Sequence, residues 1–252
     1  MRMMNRIRRA LSLGMRQASF SMNAARLGFL FLRARWFRMP QEIRVGGRRL
    51  SLSYPPEAGV QNDFIACVIR DEYGLGRELS GLRTIVDVGA NVGFFSLAAR
   101  HRWPRATIHA YEPNPRVFQY LRSNTSALGI EIHPEALGAQ DGFTSIFDSG
   151  DSNQARTSGC EGGEIPQVTL SHAIERIGGT VDLLKLDCEG AEWDLFQAAD
   201  AWRRVRNLRM EYHLFHGETI PQLESTLQAL GFKVIRLEPG PGFGILWATA
   251  SN

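Results

Sequence analysis

The sequence predicts an α/β fold in which a mostly parallel sheet is covered by helices on both faces. Three observations lead to this prediction. The 252 residues suit one α/β domain with an appendage. From residue 84 onward, short apolar runs alternate with helical segments. Two of these runs end in an acidic residue and a glycine-containing turn that enters a helix, as parallel strands of an open sheet do.

The first 41 residues differ from the rest in composition. They contain nine arginines and no acidic residue, whereas the whole chain has a net charge of +3, so the remainder carries −6. Their pattern predicts helices over Met3–Ser19 and Asn23–Phe37, the second ending before Pro40. We therefore predict two parts, a basic helical arm over residues 1–41 and a larger domain over residues 42–252.

The pattern of apolar residues and arginines in the arm predicts contact with an anionic membrane surface. Leu27, Leu30, Phe31, Ala34 and Phe37 would share one face of the second helix, and arginines surround it. Its longest apolar run has six residues, whereas a span needs about 20. Alternatively, this stripe docks on the larger domain or pairs two subunits of a homo-oligomer.

The cellular location is expected to be the cytoplasm, peripheral to a membrane if the arm binds one. Three widely separated cysteines suit a reducing compartment. The start has no apolar core followed by a cleavage site, which disfavours a secretory signal. Its Arg-rich, acid-free composition also resembles a mitochondrial transit peptide.

After the arm, turn and periodicity signals define the elements in order. Glu42–Ser53 predicts a hairpin closed by Val45-Gly46-Gly47-Arg48, and Gln61–Glu72 predicts a helix. Gly138–Ser149 predicts a β excursion, and the last two strands are expected to pair antiparallel at one edge of the sheet. The other predicted strands are Thr84–Val88, Thr107–Tyr111, Glu131–His133, Val181–Leu186, Leu208–Tyr212, Phe232–Arg236 and Ile245–Thr249. The other predicted helices are Phe94–His101, Pro115–Leu128, Ala191–Ala199 and Ile220–Leu230, with a short element at Val168–Ile177.

The first strand carries the strongest functional signal. It ends in Asp87-Val88-Gly89-Ala90-Asn91-Val92-Gly93, where Gly89 permits a sharp turn and Gly93 lets the next helix approach closely. Ligands of open α/β sheets bind in the crevice at this edge. The span lacks the middle glycine of a dinucleotide-binding turn because Asn91 occupies that place, which disfavours a nicotinamide-dependent oxidoreductase.

Acidic residues follow the other strands at the same edge. Glu112, in Tyr111-Glu112-Pro113, comes 19 residues after Gly93 and can accept both ribose hydroxyls of a nucleoside. A third strand ends in Leu184-Lys185-Leu186-Asp187-Cys188-Glu189-Gly190-Ala191-Glu192. Glu192 lies in the first turn of the following helix, where a negative charge suits the helix dipole. Glu211 and His213 lie two residues apart on one face of a later strand.

Together, these motifs resemble the FkbM family of methyltransferases. The resemblance covers about Asp63 to Thr249, its most specific part is Asp187-Cys188-Glu189-Gly190-Ala191-Glu192, and Glu211-Tyr212-His213 is similar to the family's late E-x-H element. Cys188 stands where the family often has valine. The resemblance implies a Rossmann-like class I methyltransferase fold with a seven-stranded sheet and S-adenosylmethionine as cofactor. It also implies O-methylation of a hydroxyl on a sugar, glycolipid or secondary metabolite.

The site residues expected on this basis fall into two groups. Asp87, Gly89, Ala90, Asn91 and Gly93 would shape the cofactor turn. Glu112 with Pro113 would hold the ribose, and Glu135 would lie near the adenine. Asp187 leads the acceptor side as a base or by orienting the cofactor's amino-acid end. The candidate catalytic residues are Asp187, Glu189, Glu211 and His213.

Besides the disfavoured nicotinamide-dependent oxidoreductase, two alternatives stay open at the level of the sequence. Asp187, Glu211 and His213 could instead bind a divalent metal ion through oxygen and nitrogen. A non-catalytic protein that uses the basic arm to bind a membrane or nucleic acid is the other alternative. Nucleic-acid methylation usually shows an N/D-P-P-Y/F motif after the fourth strand, whereas this chain has Asp187-Cys188-Glu189-Gly190 there.

Overall fold

The computed structural model describes residues 15, 17–76, 79–147, 156–158 and 163–251. Helix α1 spans residues 17–26. The other helices are α2 Ala58–Asp63, the π-helix Phe64–Ile69, α3 Phe94–Arg102, α4 Pro115–Thr125, α5 Leu170–Arg176, α6 Glu192–Leu195, α7 Ala199–Trp202 and α8 Ile220–Ala229, with a 3₁₀ turn at Ala34–Trp36. The strands are β1 Glu42–Val45, β2 Arg48–Ser51, β3 Thr84–Val88, β4 Thr107–Tyr111, β5 Glu131–His133, β6 Ala136–Gly138, β7 Gly142–Phe147, β8 Arg156–Ser158, β9 Ile165–Thr169, β10 Leu183–Leu186, β11 Asn207–His213, β12 Phe232–Pro239 and β13 Phe243–Ala250.

A seven-stranded sheet forms the centre of the fold, in the order β5-β4-β3-β10-β11-β13-β12. The five strands from β5 to β11 run parallel, and β13 runs antiparallel to both β11 and β12. The predicted α/β class, the parallel sheet and the antiparallel edge are therefore confirmed. The chain leaves β3 toward β4 on one side and later returns to β10 on the other, which creates a crevice at their carboxyl ends.

Two apolar layers explain why this sheet is stable. Strands β3 and β10 are mostly apolar and are buried on both sides, so each face must be covered. Helices α5 and α8 pack on one face, and α3 and α4 pack on the other. Helix α4 begins with Pro115 at its first position, and the side chain of Asn114 accepts a hydrogen bond from the Arg116 amide.

The second predicted arm helix, Asn23–Phe37, is wrong. Helix α1 ends at residue 26, and the chain beyond it is irregular apart from the 3₁₀ turn. Gly28 adopts φ +86°, a left-handed conformation that ends a helix. The Arg44 amide then donates to the Leu27 carbonyl at 2.7 Å and ties the arm to β1. Most of the first predicted helix, Met3–Ser19, lies outside the described residues.

Buried side chains attach the arm to the rest of the chain. Leu27, Phe31 and Phe37 are buried in a cluster with Val45 and Phe64. The rings of Phe37 and Phe64 stack with centroids 5.8 Å apart. The described arm is therefore packed on the larger domain, while the division at residue 41 stays a prediction.

Two predicted helices take other forms. Gln61–Glu72 becomes α2 followed by the π-helix. Ala191–Ala199 is broken into the short helices α6 and α7. At this break, the Trp202 indole donates to the Leu195 carbonyl at 2.8 Å. The carbonyl therefore has a donor other than the amide of residue 199, which would serve it in a continuous helix.

The predicted β excursion, Gly138–Ser149, belongs to a second sheet. Its described part contains β7, which pairs antiparallel with β8 and β9, and β9 also pairs with β6. None of the helices in the described part of the chain is both long and apolar enough to span a bilayer.

Candidate active site

The turn after β3 forms the floor of the crevice. The amides of Gly89 and Ala90 both donate to the Tyr111 carbonyl, at 3.0 and 2.9 Å. Gly89 adopts φ +70°, and a Cβ atom there would overlap the Asp187 carbonyl oxygen. Only glycine lets the first turn pass so close to the end of β10. Gly93 has φ +94° and precedes α3, where a Cβ would lie 2.9 Å from Leu121.

Glu112 stands at the end of β4 beside this turn. Its Oε2 accepts from the Asn91 amide at 2.7 Å, and its Oε1 accepts from the Asn114 amide at 2.8 Å. Burial raises the pKa of Glu112 to about 7, although these two backbone hydrogen bonds act to lower it. The carboxyl group is thus fixed in orientation and borders the crevice.

A buried lysine that sequence reasoning missed supports the turn from behind. The Nζ of Lys185 donates to the carbonyls of Val88, at 3.1 Å, and Gly89, at 2.6 Å. It also lies 3.3 Å from Asp87 Oδ1 and 3.5 Å from Asp187 Oδ2. Burial acts to lower the pKa of Lys185, but the charges of Asp87 and Asp187 outweigh it and raise the pKa. The available signal was a lysine inside an otherwise apolar strand.

Asp87 therefore shapes the site without facing it. It is fully buried and its Oδ2 accepts from Ser96 Oγ at 2.7 Å. With Lys185 on its other oxygen, it links β3, α3 and β10. Neither Asp87 nor Gly93 lines the crevice, so any effect on a cofactor passes through the backbone of the turn.

The crevice is an open cleft with a cavity volume of about 180 Å³. It runs from the turn after β3 to the carboxylates that follow β10 and β11. It brings together most of the residues singled out in the sequence. Those that line it are Gly89, Ala90, Asn91, Glu112, Pro113, Glu135, Asp187, Glu189 and Glu211.

Glu135 forms an ion pair at one side of the cleft. Its Oε2 accepts from Arg176 Nη1 at 2.6 Å. The same guanidinium lies 3.1 Å from Nδ1 of His133. Glu135 thus lines the cleft as one member of a charged pair, and its proximity to an adenine stays a prediction.

Asp187 is the carboxylate with the clearest support at the acceptor side. Tyr73 Oη donates to its Oδ2 at 3.1 Å, and the Lys185 ammonium lies 3.5 Å from the same oxygen. The side chain is 26% exposed and faces the cleft. Tyr73 comes from the segment after the π-helix, and no sequence signal identified it.

His213 is brought close to the cleft carboxylates but does not line the cleft. Its Nδ1 lies 3.2 Å from Oε1 of Glu192, which is fully buried. Its Nε2 lies 3.5 Å from Glu189 and 3.8 Å from Glu211. Glu192 also accepts from the amides of Cys188, at 3.1 Å, and Gly190, at 3.0 Å. Glu192 is therefore a partner of the imidazole in addition to any role in the helix dipole.

The charges in this group set two unusual protonation states. Burial acts to lower the pKa of His213, but the hydrogen bond and charge of Glu192, with the charges of Glu189 and Asp187, raise it to about 9. Burial raises the pKa of Glu211 to about 9, the charge of Asp187 adds to this, and His213 opposes it. At neutral pH we therefore expect an imidazolium behind the cleft and a neutral Glu211 carboxyl facing it.

The geometry does not support the metal site considered from the sequence. The ligand atoms of Asp187, Glu211 and His213 do not all approach within 4.8 Å of one another, whereas those of His109, Glu131 and His133 do. That second group lies on β4 and β5, where the Arg176 guanidinium, 3.1 Å from His133, opposes a bound cation.

Comparison with known proteins adds an independent finding. Residues 87–234 match the family model described as the methyltransferase FkbM domain. The chain is 27% identical over 181 residues to Methyltransferase 1 of Beauveria bassiana, covering 60% of this chain and 72% of that protein. It is 28% identical over 200 residues to the 31-O-demethyl-FK506 methyltransferase FkbM of Streptomyces tacrolimicus, covering 64% and 76%. Among solved structures, the magnesium protoporphyrin IX methyltransferase of Synechocystis PCC 6803 with bound SAM aligns at 12% identity and a TM-score of 0.45, covering 79% and 87%.

Proposed function

Because this chain belongs to the FkbM methyltransferase family, we propose that it transfers a methyl group to a hydroxyl of a sugar, a glycolipid or a secondary metabolite. Its use of S-adenosylmethionine follows from the family and from the class I methyltransferase fold. The family match sets aside the nicotinamide-dependent alternative. The name of the Streptomyces tacrolimicus relative, a 31-O-demethyl-FK506 methyltransferase, supports a hydroxyl as the acceptor.

The residues of the cleft fit S-adenosylmethionine. The turn at Gly89 has no room for a side chain, and the fixed Glu112 carboxyl beside it can accept hydrogen bonds from ribose hydroxyls. Lys185 holds the carbonyls of the turn in place. When bound, the cofactor supplies a sulfonium-activated methyl group, and the protein's contribution to such a displacement is mainly orientation and charge placement.

On the acceptor side, the single observation that carries the proposal is the placement of the Asp187 carboxylate. This carboxylate faces the cleft, and Tyr73 and Lys185 hold it in place, so it can accept the proton of a bound hydroxyl. The neutral Glu211 carboxyl can donate a hydrogen bond to the same acceptor or to a neighbouring hydroxyl. A polyhydroxylated acceptor offers both donors and acceptors to this pair.

Removal of the Glu112 carboxyl tests the cofactor side. In Glu112→Ala, the ribose hydroxyls lose their acceptor, and we expect S-adenosylhomocysteine to bind more weakly by about 1.5–3 kcal/mol. Titration calorimetry measures this change. Glu42→Ala, which removes an exposed carboxyl on β1, is the matched control and should bind normally. Unchanged affinity in a folded Glu112→Ala protein would contradict the ribose assignment.

Chelation tests the role of metal ions. Since Asp187, Glu211 and His213 are not arranged as a ligand group, we expect wild-type turnover to persist after treatment with EDTA and dialysis. Once a screen of sugars, glycolipids and secondary metabolites has found an acceptor, the assay measures methyl transfer to it before and after treatment, with Mg²⁺ added back in a parallel sample. A loss restored only by added metal would reinstate the metal hypothesis.

A further inference from the structure

The arm presents a small apolar surface to solvent. Leu30 is 85% exposed, Leu32 68% and Trp36 60%. These exposures are high for large apolar side chains. Soluble proteins rarely expose several such side chains together unless the surface binds a partner. We call Leu30, Leu32, Trp36 and the neighbouring Arg33 and Arg35 the arm surface.

Packing beneath the arm surface holds these side chains outward. Phe31 and Phe37, which flank the exposed run Leu32–Trp36 on either side, are buried, and their ring centroids lie 5.3 Å apart. Ser21 Oγ donates to the Phe31 carbonyl at 2.7 Å. Phe29 packs on Phe64 of the π-helix, with ring centroids 5.5 Å apart. The exposed residues therefore belong to a short segment that is anchored in the core at Phe31 and again at Phe37.

The arm surface is also strongly basic. The guanidinium carbons of Arg33 and Arg35 lie 5.6 and 4.2 Å from the centre of the Trp36 ring. Arg26 and Arg38 are exposed nearby in the chain, and no acidic residue occurs before Glu42. Tryptophan flanked by arginine and leucine suits the boundary between lipid headgroups and acyl chains.

We propose that the arm surface docks the protein on an anionic lipid bilayer. Leu30, Leu32 and Trp36 would enter the headgroup boundary, while the arginines would contact lipid phosphates. The binding element is this irregular segment and not the amphipathic helix expected from the sequence. The proposal is independent of which acceptor the enzyme uses.

The arm lies close to the active site, with one helix between them. Phe64 and Val68 of the π-helix pack against the arm, whereas Ala66 and Cys67 of the same helix line the cleft. A single helix thus separates the proposed membrane contact from the cleft. Bilayer binding would place the enzyme beside lipid-linked molecules. A search for the acceptor should therefore include lipid-linked compounds.

Flotation of the full chain with vesicles tests the proposal. Wild type should float with vesicles of equal parts phosphatidylglycerol and phosphatidylcholine, and remain at the bottom with phosphatidylcholine alone. Binding should weaken as salt rises because the arginine attraction is screened. Leu30→Ser/Leu32→Ser/Trp36→Ser, and separately Arg33→Gln/Arg35→Gln, should each lower vesicle partitioning by about tenfold or more.

Matched variants exclude nonspecific effects. Phe143→Ser/Ile235→Ser removes exposed apolar side chains elsewhere, and Arg105→Gln/Arg203→Gln removes exposed arginines elsewhere, so both should float like wild type. All variants should bind S-adenosylhomocysteine normally, which confirms folding.

Three results would overturn the proposal. Wild type could fail to float at low salt, or the arm variants could float like wild type. Alternatively, wild type could sediment as a dimer that the triple variant dissociates, without any vesicle binding, which would assign the arm surface to a second copy of the chain.

Discussion

Replacing Asp187 with asparagine is expected to lower kcat by about 10²–10⁴-fold, while the affinity for S-adenosylhomocysteine changes by only a few-fold. The amide keeps the size of the carboxyl and can still accept from Tyr73, but it cannot take a proton from an acceptor hydroxyl. The Lys185 ammonium keeps Asp87 and two backbone carbonyls as partners, so the turn after β3 should be preserved.

Two measurements separate the roles of Asp187. Steady-state kinetics give kcat and KM for the acceptor, and calorimetry gives the dissociation constant of S-adenosylhomocysteine. Asp200→Asn, an exposed change on α7, serves as the matched control and should behave like wild type. If cofactor affinity falls as much as kcat, Asp187 orients the cofactor and another group accepts the proton.

The sequence was most informative about the buried parallel strands. Thr84–Val88, Thr107–Tyr111 and Glu131–His133 were predicted with the bounds that the structure shows. Thr84–Val88 and Thr107–Tyr111 are recognisable because both faces are covered, so they appear as largely apolar runs bounded by turn residues, whereas Glu131–His133 is a short edge strand with Glu131 exposed. The acidic residues that end these runs were placed at one sheet edge for the same reason, since parallel strands share a carboxyl edge.

The arm was harder to predict because its apolar residues are compatible with two backbone conformations. Leu27, Phe31 and Phe37 fit a helical stripe, yet they are buried from an irregular segment that follows Gly28. The left-handed Gly28 and the hydrogen bond from Arg44 to Leu27 decide between these conformations. Tertiary contacts of this kind have no local sequence signature.

The partners of the site residues were missed for a related reason. Tyr73 reaches Asp187 across 114 positions of sequence, and Lys185 is internal to a strand, where apolar residues are expected. Glu192 was assigned to the helix dipole from its position alone. In the structure it is fully buried against His213, which lies 21 residues later in the chain.

Removing the Glu192 carboxyl should therefore destabilise the protein strongly. Glu192→Ala leaves the amides of Cys188 and Gly190 without their acceptor and leaves His213 buried without its nearest counter-charge. Breaking a buried charged pair on one side costs about 3–5 kcal/mol of unfolding free energy. Urea denaturation measures the loss, and Glu224→Ala on the exposed side of α8 is the matched control.

The pH dependence distinguishes this charge pair from simple packing. The pKa of His213 is about 6.5 in the unfolded chain and is raised to about 9 in the folded protein. Its stabilising contribution is therefore fully present below pH 6.5 and is lost as pH rises through 9. In Glu192→Gln, which keeps the shape and one acceptor oxygen, the folded pKa should fall, and NMR titration of His213 would show it. Wild type should then exceed this variant in stability by more at pH 6.5 than at pH 10. A difference that is equal at both pH values would mean that Glu192 acts through packing and hydrogen bonds to the backbone alone.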